Sequence, residues 1–257
     1  MNKTINFIDE KAVIGKSVKI EPFTFIDKNV TIGDNCWIGN NVTIYSGARI
    51  GKNVKIFPGA VISAVPQDMK FKGEETIVEI GDNTIIRECA TINRGTIDTN
   101  KTVVENDCLI MAYVHIAHDC VIKNNSILVN AVQIGGHSLI DENSIVGGGS
   151  VIHQFTKIGK YSMTAGGSII RKDIPPYCKA GKNPLKYMGI NSIGLKRKGF
   201  SKDVINNIQE IYRILYFDGL NNSEAYLKIS NNITDSNEKN EILDFISKSD
   251  RGLIKGI

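Results

Sequence analysis

The chain has 257 residues, a formal net charge of +4 and 42% hydrophobic residues, values typical of a globular protein. The modest charge argues against a nucleic-acid-binding surface, and no apolar run is long enough to span a bilayer. The first residues lack the apolar core of a secretion signal, and five cysteines without a CxxC motif argue against a disulfide framework. We therefore expect a cytoplasmic protein. Isoleucine is the unusual residue, with 41 copies against only 7% aromatic residues.

An aliphatic residue recurs at every sixth position through most of the chain. This ladder occupies Ile8–Ile62, Ile80–Ile92 and Val104–Ile170, and 24 of its 25 positions are aliphatic, with Thr164 as the exception. A small or β-branched residue usually stands two positions earlier, where its side chain faces the same side of a strand. Each hexad therefore predicts a short strand, and three hexads close an 18-residue coil of a parallel β-helix.

The ladder is interrupted twice, at about residues 63–79 and 93–103, and keeps its phase across both gaps. Such gaps predict two loops that project from the solenoid. Because loops on a rigid scaffold often carry binding residues, both segments are candidates for a functional site.

The repeat ends near Ile170, and a helical pattern follows several prolines. Ser201 is the expected N-cap of a first helix that ends at Gly219, Ser223 is the expected cap of a second, and Glu238–Lys248 forms a third. The apolar face of the first helix is predicted to contain Val204, Ile208, Ile211 and Leu215. We therefore predict a mainly β protein, with a β-helix over residues 1–182 and a C-terminal α-helical domain over residues 183–257.

The histidines are clustered within 39 residues, and they are His115, His118, His137 and His153. Residues 18 apart stack on neighbouring coils, so His118, Gly136 and Gln154 form one column on an outer corner. Imidazole titrates near neutrality, which makes a histidine general base the simplest chemistry for this column. Solvated surface histidines and a zinc site formed by His115, His118 and His137 are the alternatives.

Several short motifs resemble those of one enzyme family. They are HIAHDC (115–120), IGGH (134–137), VIHQF (151–155), GLKRKGFS (194–201), PQDMK (66–70), ATINRGT (90–96) and RGLI (251–254). With these motifs in order, the whole chain resembles the acyl-carrier-protein–UDP-N-acetylglucosamine O-acyltransferases of lipid A biosynthesis. The resemblance implies a left-handed β-helix and a homotrimer with active sites between adjacent subunits. It also implies transfer of an (R)-3-hydroxyacyl group from acyl carrier protein to the 3-hydroxyl of UDP-N-acetylglucosamine, without a cofactor or metal.

The resemblance further implies roles for individual residues. His118 would be the general base, Asp119 its orienting partner, and the Gly136 amide a donor to the developing oxyanion. Asp68 would receive the hydroxyl of the acyl chain, and a glycine at Gly166 predicts room for a long chain. The residues expected around the sugar, the phosphates and the nucleotide are Gln67, Lys70, His115, His137, Gln154, Asn191 and Arg197.

Three residues depart from the family pattern. Asn93 stands where a histidine is usual, Ile193 replaces an acidic residue, and Lys198 replaces an arginine. A UDP-2,3-diamino sugar is therefore an alternative acceptor, and a trimeric zinc carbonic anhydrase of the same fold is an alternative enzyme. The related N-acyltransferase is disfavoured, because hexads that begin at Ile8 leave no room for its extra N-terminal domain. The basic segment 196–198 is a candidate dock for the acidic carrier protein.

Overall fold

Three parallel sheets form the faces of a β-helix, as the hexad ladder predicts. The structure is a computed structural model that describes residues 5–256, so the predicted outer limits at residues 1 and 257 lie outside it. Up to β25, successive strands take their places in the three sheets in turn, so each strand from β1 to β22 pairs with the third strand after it. The coil of 18 residues is visible in the register, where His115 lies opposite Gln133 and Gln133 opposite Val151.

The strands are short, and most contain two residues. The first sheet comprises β1 (Phe7–Ile8), β4 (Phe25–Ile26), β7 (Thr43–Ile44), β10 (Val61–Ala64), β13 (Thr91–Asn93), β16 (His115–Ile116), β19 (Gln133–Ile134), β22 (Val151–Ile152) and β25 (Ile169–Ile170). The second comprises β2 (Val13–Ile14), β5 (Thr31–Ile32), β8 (Ala48–Ile50), β11 (Ile77–Ile80), β14 (Lys101–Val104), β17 (Val121–Ile122), β20 (Leu139–Ile140) and β23 (Lys157–Ile158). The third comprises β3 (Lys19–Ile20), β6 (Trp37–Ile38), β9 (Lys55–Ile56), β12 (Ile85–Ile86), β15 (Leu109–Ile110), β18 (Ile127–Leu128), β21 (Ile145–Val146), β24 (Met163–Thr164), β26 (Cys178–Gly181) and β27 (Lys186–Ile190).

The ladder residues fill the interior of the coils. Ile116 and Ile134, for example, are at most 1% exposed, and burying such a side chain contributes about 2 kcal/mol. The small residues two positions earlier are buried beside them, and their polar atoms bind corner carbonyls. Ser138 Oγ donates to Gly135 O at 2.7 Å, and Cys120 Sγ donates to the same oxygen at 3.3 Å. Short hydroxyls and thiols therefore fit this core where they reach a carbonyl of a nearby turn, whereas the buried hydroxyl of Thr156 has no partner among the described residues.

Two loops interrupt the coils. The first loop (residues 65–76) lies between β10 and β11, and the second loop (residues 94–100) lies between β13 and β14. Both are shorter than the predicted gaps, because β10, β11 and β14 extend into those gaps and pair with neighbouring strands. Both loops leave the coil phase intact on either side, so the strands beyond them resume the stack.

In the described part of the chain, residues 5–256, four helices follow the last coils: α1 (Ser192–Arg197), α2 (Lys202–Phe217), α3 (Asn222–Asn232) and α4 (Asn237–Ser247). Ser201 caps α2, as predicted, but the prediction that Ser223 caps α3 is wrong. The Asn221 side chain accepts from Glu224 N, and the Glu224 carboxylate accepts from Asn221 N, both at 2.9 Å. This capping box satisfies two backbone donors at once, which places Ser223 inside the first turn. The short α1 was not predicted.

The helical region covers the end of the solenoid. Ile208, Ile211 and Leu215 of α2 are buried, in agreement with the predicted apolar face. The chain then returns to the β-helix, where Leu253 forms a parallel bridge with Asp173. β27 runs antiparallel to β26 and continues the third sheet to Ile190. The predicted domain boundary between residues 182 and 183 stays a prediction. Within residues 5–256, no helix has the length and apolar character needed to cross a membrane.

Candidate active site

One corner of the β-helix, between the first and second sheets, carries the histidine cluster. The residues that turn this corner in three neighbouring coils are 117–120, 135–138 and 153–156. Asp119, His137 and Phe155 are 18 apart and share the left-handed backbone region, with φ of 60°, 60° and 63°. His137 N donates to His118 O at 3.1 Å, and Phe155 N donates to Gly136 O at 2.9 Å. The same turn is therefore repeated, and its side chains stack from coil to coil.

The structure brings His118 and Gly136 into contact. A methyl group at Gly136 would lie 2.6 Å from His118 Cε1 and 2.8 Å from Nε2. Any larger residue at this position would therefore displace the imidazole. Glycine is required here by the close approach of the ring.

His118 is held by the carboxylate that follows it in the chain. His118 Nδ1 lies 2.7 Å from Asp119 Oδ2, and the Asp119 side chain is 0% exposed. Burial alone would raise the pKa of Asp119, but hydrogen bonds from Thr99, His118 and Thr96 outweigh it and hold that pKa below its ordinary value. An ionised Asp119 accepts the Nδ1 proton, which leaves Nε2 of a neutral His118 free to accept another.

Two further histidines flank this pair. The His137 ring stacks on Phe155 at 4.5 Å and meets the His118 ring edge-on at 5.3 Å. His115 Nδ1 lies 2.7 Å from Thr91 Oγ1. Burial, and to a smaller extent the electrostatic influence of His118, lower the pKa of His115 below its ordinary value.

These residues open onto a cleft of about 420 Å³. Gln67 of the first loop lines this cleft together with the corner that carries His118. The predicted site residues that line the cleft are Gln67, His115, His118, Gly136 and Gln154. Asp68 and Lys70 follow Gln67 on the first loop, outside the lining, and the Asp68 side chain accepts from Lys70 N at 2.9 Å.

The remaining predicted residues lie on other corners of the same chain. Gly166 lies where the third sheet leads into the first, beside Gly148. Asn191 caps α1, and its side-chain nitrogen donates to the carbonyl of Tyr161, on the corner between the second and third sheets. Arg197 is exposed in the last turn of α1. One chain alone therefore does not bring these three residues to His118.

A metal site at this corner would use different residues from the zinc site of His115, His118 and His137 that the sequence left open. Among residues 5–256, the ligand atoms that converge within 4.8 Å belong to His118, Asp119 and His137, without His115. Both oxygens of Asp119 already accept hydrogen bonds, from Thr96, Thr99 and His118. A carboxylate saturated in this way fits the orientation of a histidine better than the coordination of an ion.

Sequence reasoning missed several residues of the site. Phe155 follows His137 by 18 residues, so the coil spacing could have identified it. Thr96 and Thr99 lie in the second loop, where no repeat fixes which side chain faces the corner. Their contacts with Asp119 became visible only in the structure.

Comparison with known proteins identifies the family. A family described as UDP N-acetylglucosamine O-acyltransferase, domain 2, matches residues 173–254, and bacterial transferase hexapeptide repeats match residues 29–64 and 101–136. The acyl-[acyl-carrier-protein]–UDP-N-acetylglucosamine O-acyltransferase of Chlorobaculum tepidum is 59% identical over 241 residues, which cover 93% of this chain and 91% of that protein. The chain belongs to this O-acyltransferase family. Membership confirms the prediction of an acyltransferase.

Solved structures agree with this assignment. The UDP-N-acetylglucosamine acyltransferase of Bacteroides fragilis 9343 superposes with a TM-score of 0.97 at 49% identity, covering 99% of this chain and all of that one. The Francisella novicida UDP-N-acetylglucosamine acyltransferase superposes with a TM-score of 0.96 at 40% identity, covering 99% of this chain and 94% of that one. The predicted left-handed β-helix is thereby confirmed. The names of these relatives fit the O-acyltransferase hypothesis and neither of its two alternatives.

Proposed function

We propose that this chain transfers an (R)-3-hydroxyacyl group from acyl carrier protein to the 3-hydroxyl of UDP-N-acetylglucosamine, the first step of lipid A biosynthesis. The observation that carries the proposal is the His118–Asp119 pair, which lies against Gly136 in an open cleft of a chain from this family. The cytoplasm, where carrier-protein thioesters are made, is the proposed location.

The geometry suits general base catalysis by His118. With its Nδ1 proton bound to Asp119, His118 Nε2 takes the proton of the sugar 3-hydroxyl as that oxygen attacks the thioester carbonyl. The Gly136 amide donates to the oxygen of the tetrahedral intermediate, an interaction often worth about 3 kcal/mol. The carbon–sulfur bond then breaks, and the departing thiolate takes the proton from the His118 imidazolium.

The walls of the cleft supply polar groups for the substrates. Gln67, His115 and Gln154 line it, and they bind the sugar and its phosphates in our proposal, with His137 and Lys70 nearby. Asp68 receives the 3-hydroxyl of the acyl chain. A methyl group at Gly166 would meet only the Gly148 backbone, so the open surface at this glycine favours a long acyl chain.

A homotrimer completes the site in this proposal. His118, Asn191 and Gly166 occupy three different corners of one chain, and packing β-helices side by side brings different corners together. Asn191 and Arg197 of one subunit then reach a nucleotide bound beside His118 of the next. The exposed cations Lys196 and Lys198 lie next to Arg197 and serve as a dock for the acidic carrier protein.

The experiment is a substrate panel with the purified chain. Hydroxyacyl carrier proteins of several chain lengths are offered with UDP-N-acetylglucosamine or its 3-amino analogue, and products are identified by mass. We expect O-acylated UDP-N-acetylglucosamine, from long chains in preference to short ones, and a Michaelis constant for the carrier protein that rises with salt. Transfer to the amino analogue alone, or to neither acceptor, would refute the proposal, and sedimentation of the same sample tests the trimer.

A further inference from the structure

The second loop wraps around the carboxylate that holds His118. Thr96 contacts Asp119 twice, because its backbone nitrogen donates to Oδ1 at 3.0 Å and its hydroxyl donates to Oδ2 at 2.7 Å. The hydroxyl of Thr99 donates to Oδ1. Thr102, the second residue of β14, accepts from Asp119 N at 2.8 Å. Thr96 and Thr99 thus bind the buried carboxylate, and Thr102 binds the backbone of the same residue.

The arrangement fixes both the charge and the direction of Asp119. Asp119 Oδ2 receives the Thr96 hydroxyl and His118 Nδ1 together, so this oxygen cannot turn without losing one of them. A carboxylate without exposure to water stays ionised only while donors surround it. The loop hydroxyls supply such donors to a group that is 0% exposed.

We propose that Thr96 and Thr99 are positioning residues that act through Asp119 on His118. The inference rests on the proposed function, since it assigns the second loop to the general-base assembly of that reaction. Neither threonine touches the substrate in this scheme. Their hydroxyls hold Asp119 so that His118 keeps one tautomer and one orientation during proton transfer.

The two hydroxyls also make contacts within the loop, since Thr96 Oγ1 accepts from Asp98 N at 3.3 Å and Thr99 Oγ1 lies 2.9 Å from Lys101 O. The loop is nevertheless anchored by bonds that do not involve them. Its backbone is tied to the solenoid by Arg94 N, which donates to Ala64 O at 3.0 Å, and by Gly95 N, which donates to Ile77 O at 3.1 Å. Within the loop, Asn100 N donates to Thr96 O at 2.8 Å. Replacing a threonine by valine therefore removes a donor to Asp119 and one contact within the loop, and it leaves these backbone anchors in place. Thr99 is also exposed, so its replacement disturbs no core packing.

The test compares Thr99→Val with Thr99→Ser, and Thr96→Val with Thr96→Ser, in steady-state acyl transfer. We expect each valine variant to lower kcat by about tenfold. This is the lower end of the roughly 10- to 100-fold loss of activity that follows when a partner that orients a histidine is removed. We expect KM for both substrates to stay within about twofold, because the loss does not affect binding. The serine variants restore the hydroxyl and most of kcat. Thr31→Val, at an exposed position of β5, is the matched control and leaves kcat unchanged.

A double-mutant cycle with Asp119→Ala shows whether the threonines act through Asp119 or whether their replacement disturbs the active site in another way. If the threonines act through Asp119, Thr99→Val causes no further loss of kcat once that carboxylate is absent. Three results would each overturn the inference. The first is wild-type kcat in both valine variants, and the second is a serine variant that does not restore kcat. The third is a loss of kcat from Thr99→Val that is as large in the Asp119→Ala background as in the wild type. Lack of transfer by the wild-type chain would overturn the proposed function instead, so the two failures are distinguishable.

Discussion

Gly136→Ala tests the contact between the base and the next coil. The added methyl would lie 2.6 Å from His118 Cε1, whereas an ordinary contact begins at 3.4 Å, so the ring must move by about 0.8 Å. Gly136 has no left-handed φ, and alanine keeps the backbone N–H, so neither the turn nor the proposed oxyanion donor is removed. A misplacement of about 1 Å can cost about 100-fold in rate, which corresponds to about 2.7 kcal/mol.

The assay is kcat/KM for acyl transfer to UDP-N-acetylglucosamine, with thermal unfolding measured in parallel. Gly181→Ala is the matched control, because its added methyl meets nothing closer than 3.4 Å. We expect the control to keep its activity and Gly136→Ala to lose about 100-fold with a melting temperature close to wild type. Activity near wild type in Gly136→Ala would refute the close packing of the imidazole on this glycine.

Three further predictions concern stability and reactivity. Cys89 is exposed whereas the other four cysteines are buried, and burial raises the pKa of Cys120 to about 12. Mass spectrometry of the native protein treated with iodoacetamide should therefore find one adduct per chain, and more than one would contradict the burial. The pKa of Asp119 is lowered in the fold, so ionised Asp119 stabilises the protein above its ordinary pKa, and this stabilisation is lost as pH falls through the lower folded pKa. In urea titrations, the difference in unfolding free energy between wild type and Asp119→Asn should therefore shrink from pH 5 to pH 2, and a constant difference would contradict this. Lys239 is buried, and its Nζ donates to the carbonyls of Ser230 and Ile233 at the end of α3, both at 2.8 Å. Lys239→Met should therefore lower the free energy of unfolding by about 1–3 kcal/mol, and unchanged stability would argue against this cap of α3.

The repeated part of the fold could be predicted from the sequence because one physical constraint acts on every coil. A narrow triangular interior accepts Ile at one position and a small residue two positions earlier, so the ladder from Ile8 to Ile170 records the strands directly. The same periodicity placed His118 over Gly136, since spacing by 18 is spacing by one coil. Handedness came only from the family resemblance, because the period of six residues is the same for both hands.

The rest of the site depends on contacts that have no fixed spacing. The positions of Thr96 and Thr99 depend on how the second loop folds back over Asp119, and nothing in the ladder specifies that path. The first loop posed the same difficulty, since Gln67 lines the cleft while Asp68 and Lys70 do not. The cap of α3 was mispredicted because a reciprocal pair, Asn221 and Glu224, prevails over a single serine two residues further on.

The measurement that tests the central claim most directly is acyl transfer by His118→Ala, compared with wild type under saturating carrier-protein substrate and UDP-N-acetylglucosamine. The account predicts that the variant folds and assembles as the wild type does, and that it loses at least about 100-fold in kcat because the general base is gone. A folded His118→Ala protein with kcat near the wild-type value would contradict the assignment of the base and, with it, the role given to Asp119 and the second loop.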